Sequence, residues 1–463
     1  MPDRRDAYNL LHRGALALAE VEANGMRIDV ARLDRAIEQT AARIKRLEGK
    51  LRGCEEYALQ RRRFGVDTNL TSRDQLAKVL FVDMGHSPLT FTSGGAGGKA
   101  KAQLDETALE RVGTKYAKGF LRLEKLNKLH GTYLLGVRRE VQGEYLHAFF
   151  GLHLVRSYRG QSDSPNLQNI PVRDPIQGRV IRECFIPRID HLLIEMDYSS
   201  VEVRVACSLS KDPKLTYDTI EGDMHRDMAA ECYLLDQDDV SKDTRQNAKG
   251  GFVFAEFYGD WYKQVTKNLW DGIDRYGLKS RSGVPLYDHL AEAGIRGRGA
   301  CNPKERNPES GTFEAHIKTV EDRFWNERFH VYHAKRKEWI EEYKKQGYID
   351  IASGFRCGGP MTKNQVMNYH VQGPAFHCLL WSLTKLVKEM RKKKMRSRVV
   401  GTVHDSIIAD VHKNEVEDYL AMAADISTRQ LGIAFPWITV PLEVEAEMSP
   451  LNWHEKKPVE IPS

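Results

Sequence analysis

The chain has 463 residues, 41% of them hydrophobic and 29% charged, with a formal net charge of +6. That length suits two or three structural units or one lobed enzyme, and no apolar run approaches the roughly 20 residues that a membrane span needs. The opening MPDRRDAYNLL lacks the apolar core of a signal peptide, so a cytoplasmic location away from any membrane is expected. The seven cysteines never stand in C-x-x-C spacing, which argues against both a disulfide framework and a zinc knuckle. The mild basic excess permits a polyanionic partner without requiring one.

In chain order, residues 7–24 carry a helical pattern stopped by Gly25, and Asp29 caps a second long helix. Its Leu33, Ile37, Ile44, Leu47 and Leu51 form one apolar stripe. In NLTSRDQLAKVLF, Ser72 and Gln75 make a capping box, so the first 134 residues read as a helical arm. GGAGGKAKAQ at 94–103 lacks the strand before it and the G-K-[ST] ending of a phosphate loop, and reads as a flexible basic tip. A turn-rich QSDSPNLQNIPVRDP leads into the strand HLLIEM; residues 210–350 are mostly helical, with a polar loop near 295–312. The basic run MRKKKMRSR at 390–398 suits a solvated helix end. Strands return at VVGTVHDSIIADV and near PWITVPLEVEAEM. The fold class this implies is α+β, a sheet assembled from distant segments with helical insertions between them.

Two acids stand out. Asp197 ends the apolar strand in HLLIEMDYSSVEVRV, and Asp405 sits at the turn of a tight hairpin between Val399–Val403 and Ile407–Val411. If their strands are neighbours, the pair could hold hard cations such as Mg²⁺. Ser199-x-x-Glu202 reads as a capping box, which accounts for Glu202 but not for Asp197. In DTRQNAKGGFVFAEFYGD, Arg245 and Lys249 are four apart on one helical face, and Phe252, Phe254, Phe257 and Tyr258 follow, suited to stacking on a base. Taken alone, that segment reads more readily as an amphipathic helix with a solvated basic face and core aromatics.

Together these segments resemble the three motifs of the DNA polymerase I family (family A), in that family's order. MDYSSVEVRV is similar to the first, R-x-x-x-K ending in Y-G to the second, and VHDS to the third. YRGQSDSPNLQNIPVRD, DMHRDMAAE, NYHVQGPAF, NLTSRDQLAKVLF and LNWHEKK resemble further family segments, so nearly the whole chain is covered. The resemblance implies a template-directed DNA polymerase of right-hand architecture, with thumb 1–134, palm 135–210 and 356–463, and fingers 211–355. It implies that Asp197, the Tyr198 carbonyl and Asp405 bind two Mg²⁺ ions, with Mn²⁺ able to substitute. Arg245 and Lys249 would act as catalytic residues on the triphosphate, with His225 as a further phosphate contact. Glu202 would exclude a ribose 2′-hydroxyl, and Phe254 and Tyr258 would lie beside the nucleotide. Arg159, Asn166, Gln168, Asn169, Asn368, Gln372 and His404 would meet the duplex near the primer end, checking geometry through near-invariant minor-groove acceptors. The implied partners are primer-template DNA and dNTPs, with room for separate replication factors; a monomer in bacterial or phage-infected cytoplasm is expected.

The departures are as specific. Ser406 replaces a usual Glu, Ser200 a Gln, and Asn364 a common Arg. The second motif is one residue longer than usual between Lys249 and Tyr258: counting back from Tyr258 selects Phe254 as the stacking residue, while counting forward from Lys249 selects Val253. Its F-V-F-x-x-F-Y-G-D form resembles phage-encoded members. The chain starts at the thumb, so a 3′-to-5′ exonuclease is expected on another protein or not at all. A single-subunit RNA polymerase or reverse transcriptase is disfavoured by Glu202 and Tyr258-Gly259, and a catalytically dead DNA clamp by the joint presence of Asp197, Asp405, Arg245 and Lys249.

Overall fold

A computed structural model describes residues 2–88, 90–91, 102–172, 174, 176–302 and 304–462. Most of the expected basic tip, 94–101, lies outside the described residues. Helix α1 (Arg4–Asn24) starts at a full capping box on Asp3 and stops at Gly25, whose φ of 61° favours glycine. Asp29 accepts from the Arg32 amide and caps α2 (Val30–Arg52). The end of α2 packs on α3 (Lys115–Asn127), where Leu51, Leu76, Tyr116, Phe120 and Leu123 belong to a small core separate from the main one. The helical arm therefore has a hydrophobic centre of its own. Its expected capping box is half made: the Gln75 amide donates to Ser72 Oγ at 3.3 Å, but Gln75 Oε1 accepts from the Asn69 amide at 2.8 Å, and the Ser72 amide donates to the Asn69 carbonyl at 3.0 Å instead.

The main sheet is antiparallel. Its central strand is β1 (His191–Tyr198), which leads into α4 (Val201–Ser210). A largely helical excursion follows, then the long α5 (Lys363–Lys392), after which the hairpin β2 (Arg398–Val403) and β3 (Ser406–His412) returns to the sheet. With β4 (Val444–Ser449) and β5 (Lys457–Val459) the spatial order is β2-β3-β1-β4-β5. Leu193, Ile194, Met196 and Tyr198 of β1 are buried, and Tyr198 Oη lies 2.8 Å from Ser382 Oγ of α5, tying the sheet to that helix. The strand expected within PWITVPLEVEAEM forms only from Val444. The residues before it are held instead by α4, where Arg204 donates to the Pro441 carbonyl and pairs with Glu443 at 2.6 Å. Among the described residues no helix is long and apolar enough to cross a membrane.

Candidate active site

Strand register brings the two acids together. Ser406 pairs with Asp197 across β3 and β1, while Val403 pairs with Ser406 across the hairpin. Only His404 and Asp405 remain for the turn, and His404 takes φ 53° to close it. Asp405 therefore stands beside Asp197, close enough for its charge to act on the Asp197 carboxyl. Burial, and then the Asp405 charge, push Asp197 up to about 8. Two hard oxygen donors so crowded suit a divalent cation, whose charge would offset their mutual repulsion. Among the described residues no group of three or more His, Cys, Asp or Glu is arranged to hold a metal.

On the same face of β1, two residues before Asp197, stands Glu195. It accepts from Ser406 Oγ at 2.9 Å and Trp453 Nε1 at 2.8 Å, and it pairs with Lys456. Burial raises its pKa, but Lys456 and the two hydrogen bonds outweigh that and leave it below the ordinary value. Asp197, Glu195, Glu445 and Glu447 border one depression. Sequence reasoning missed Glu195, although an acid at i−2 on a strand shares the face of Asp197.

Next to Asp405 lies a cavity of about 320 Å³ whose wall includes Arg159, Glu202, Phe254, Tyr258, Gln372 and His404. The capping box expected at Ser199 is not made. Ser200, at φ 54°, is the residue before α4 and makes no side-chain cap, while Ser199 Oγ donates to Glu445. Glu202 is thereby left to the cavity. It accepts from Tyr258 Oη at 2.8 Å, and Arg159 lies 3.9 Å away. Burial raises the Glu202 pKa against the opposing effects of Tyr258 and Arg159.

Ser241 caps α-helix Lys242–Ala248, which passes into one π turn, Lys249–Phe254, and resumes as Ala255–Tyr258. A π turn holds one more residue than an α turn, so it absorbs the extra residue of the motif. Of the two residues that counting left open, Val253 is fully buried and Phe254 lines the cavity. Phe252 is core, and Phe257 stacks on Tyr332 at 5.6 Å. Beyond Phe254, Lys249, Arg245 and the imidazole of His225 come together. Lys249 Nζ is 5.4 Å above the Phe254 ring, His225 meets that ring edge-on at 5.8 Å, and Arg245 pairs with Asp223 at 2.9 Å. Burial, then Lys249 and Arg245, push His225 down to about 4, and its buried Nδ1 has no hydrogen-bond partner among the described residues.

At the foot of this helix Gly259 takes φ 93°, and a Cβ there would lie 2.6 Å from the Asn364 side chain. Asn364 donates to the Gly259 carbonyl at 3.1 Å and Asn368 to the Tyr258 carbonyl at 3.2 Å, so α5 clamps the helix end. Asn364, a departure from the resembled motif, thus has a structural partner that its sequence position did not reveal. Asn166, Gln168 and Asn169 lie away from the cavity wall, around the short turn Leu167–Asn169; Asn166 and Asn169 are exposed, and Gln168 donates to the Gly160 carbonyl.

A model of DNA polymerase family A matches residues 32–276 and 312–455. DNA polymerase I of Bacillus subtilis (strain 168) is 27% identical over 460 residues, covering 96% of this chain and 45% of that protein. The thermostable DNA polymerase I of Thermus filiformis is 30% identical over 449 residues, covering 95% and 47%. The chain thus spans about half the length of the curated relatives it matches. Among solved structures, the POL domain of Pol1 from M. smegmatis, in complex with DNA primer-template and dNTP, matches with a TM-score of 0.73 at 21% identity, over 96% of this chain and 70% of that one. It has the same right-hand α+β fold. Since the family match takes in most of its length, the chain belongs to DNA polymerase family A.

Proposed function

We propose that this chain is a template-directed DNA polymerase domain that adds deoxyribonucleotides to a primer 3′-hydroxyl, with thumb 1–134, palm 135–210 and 356–463, and fingers 211–355. The observation that carries the reading is the carboxyl pair Asp197–Asp405 on the sheet, bordered by the cavity of Glu202 and Tyr258. The solved relative bound to primer-template and dNTP supports DNA and dNTP as partners.

Asp197 and Asp405, with the Tyr198 carbonyl, would hold two Mg²⁺ ions. Bound there, the ions would activate the primer hydroxyl and neutralise charge on the attacked phosphate and the leaving pyrophosphate. Arg245 and Lys249 would pair with the triphosphate, Arg245 exchanging Asp223 for phosphate oxygens, and His225 would offer its unpartnered Nδ1. Glu202, held in place by Tyr258, would fill the space a ribose 2′-hydroxyl needs. Phe254 would stack beside the incoming base. Arg159, Gln372, Asn368 and His404 would meet the primer end, with Asn166, Gln168 and Asn169 farther along the duplex. The direct test is extension of a primed template with and without Mg²⁺. Asp197→Ala and Asp405→Ala should each slow extension roughly a thousandfold, the several kcal/mol such charge stabilisation supplies, with primer-template affinity at low salt retained. Native-like rates from either variant would sink the assignment.

A further inference from the structure

Ser406 follows Asp405 directly and pairs across the sheet with Asp197, so it touches the backbone that carries both acids. Its hydroxyl has one proton and two acceptors, the Val403 carbonyl at 2.9 Å, which closes the turn, and Glu195 Oε1 at 2.9 Å. A carboxylate is the stronger acceptor. The other oxygen of Glu195 is taken from below by Trp453 Nε1 at 2.8 Å and by Lys456, which also reaches Glu447 at 2.8 Å. Trp453 is itself fixed. It is fully buried, its amide donates to the Phe185 carbonyl at 2.9 Å, and Arg182 lies 3.8 Å over its ring. A continuous path of packed and hydrogen-bonded groups therefore runs from residues 453–456, through Glu195 and Ser406, to the turn that bears Asp405.

We infer that Glu195 is a positioning residue for the metal carboxylates: clamped by Trp453 and Lys456, it holds the Ser406 hydroxyl and so fixes the Asp405 turn against Asp197. This rests on the two-metal reading above. Glu195 is not itself a metal ligand, because its oxygens are occupied by three donors and its charge is balanced by Lys456. A carboxylate that the resembled motif carries directly after the catalytic Asp is here supplied from the neighbouring strand, with serine as the link.

The test is Mn²⁺ binding to the full chain, read from the electron paramagnetic resonance signal of the free ion, with the melting temperature recorded in parallel. Ser406→Ala changes no charge, so a loss of Mn²⁺ affinity in it cannot be a simple Coulomb effect. It and Glu195→Gln should each weaken Mn²⁺ binding roughly ten- to hundredfold, the range found when a partner behind a metal ligand is removed. The double variant should bind no more weakly than the poorer single one, since the two groups act as one unit. Glu195→Asp keeps the charge but loses reach toward Ser406, and should behave like Ser406→Ala; it also serves if Glu195→Gln does not fold. Unchanged Mn²⁺ affinity in Ser406→Ala, or losses that multiply in the double variant, would overturn the inference. If Asp405→Ala also left Mn²⁺ binding unchanged, the metal assignment itself would have failed and the inference would fall with it.

Discussion

Tyr258 gives its hydroxyl proton to Glu202 at 2.8 Å, a bond that joins the foot of the helix ending at Tyr258 to the first turn after Asp197. Burial and the neighbouring Glu202 push the Tyr258 phenol far above its ordinary value, so it remains a donor at any working pH. With Ser199 turned toward Glu445, Glu202 has no capping duty, and its role depends on the cavity alone. Glu202→Ala should therefore cut discrimination against ribonucleotides by roughly a hundredfold while the dNTP rate falls less, as expected when a filled space opens to one hydroxyl. Competition between matched rNTP and dNTP measures it, and an unchanged ratio would reduce the Tyr258 contact to a structural one. Asp405 could be singled out in the sequence because a charge amid β-branched residues needs a reason. Glu195 passed unnoticed because its reason lies in Trp453 and Lys456, far along the chain.

At the scale of the element, the helix from Lys242 to Tyr258 holds a π turn that aims its aromatic residues. Phe254→Ala should raise the KM for dNTP about tenfold, the scale of one lost base–aromatic stack. Val253→Ala should cost about 2 kcal/mol of stability and leave that KM in place, since Val253 is buried and does not line the cavity. The reverse pattern in steady-state kinetics and denaturant melts would show that the extra residue is accommodated elsewhere. The sequence shows that a residue has been added but not where the helix takes it up. That choice is made by packing, with Phe252 and Val253 anchored in the core and Gly259 held by Asn364.

Across the whole molecule, the helical segment between β1 and α5 carries a second crowded carboxyl pair, Glu256 and Glu321. Glu256 accepts from Trp325 Nε1 at 2.7 Å, and Glu321, on helix Phe313–Arg323, accepts from the Tyr262 amide at 2.7 Å. Burial, then the Glu321 charge, push Glu256 up to about 9. A carboxyl raised above its unfolded value contributes stability in full below about pH 4.5, and that contribution is lost as pH climbs toward 9. Glu256→Gln keeps an acceptor for Trp325 and removes the proton requirement. It should be more stable than the native chain at pH 8 by on the order of 2 kcal/mol, and the difference should vanish near pH 4. Denaturant midpoints at the two pH values decide it, and parallel pH trends would show that the pair holds no proton.

Local order and spacing were enough to determine the helix end at Gly25, the helix start at Asp29, the hairpin around Asp405, the α+β class and the family's motifs, because capping, alternation and turn chemistry act between near neighbours. Only the tertiary structure decided that Ser406 lies opposite Asp197, that Phe254 rather than Val253 faces the cavity, that Ser199 does not cap α4, and that Glu195 is clamped by the 453–456 segment. Each of those depends on register and packing between segments remote in the chain, and no local periodicity records them.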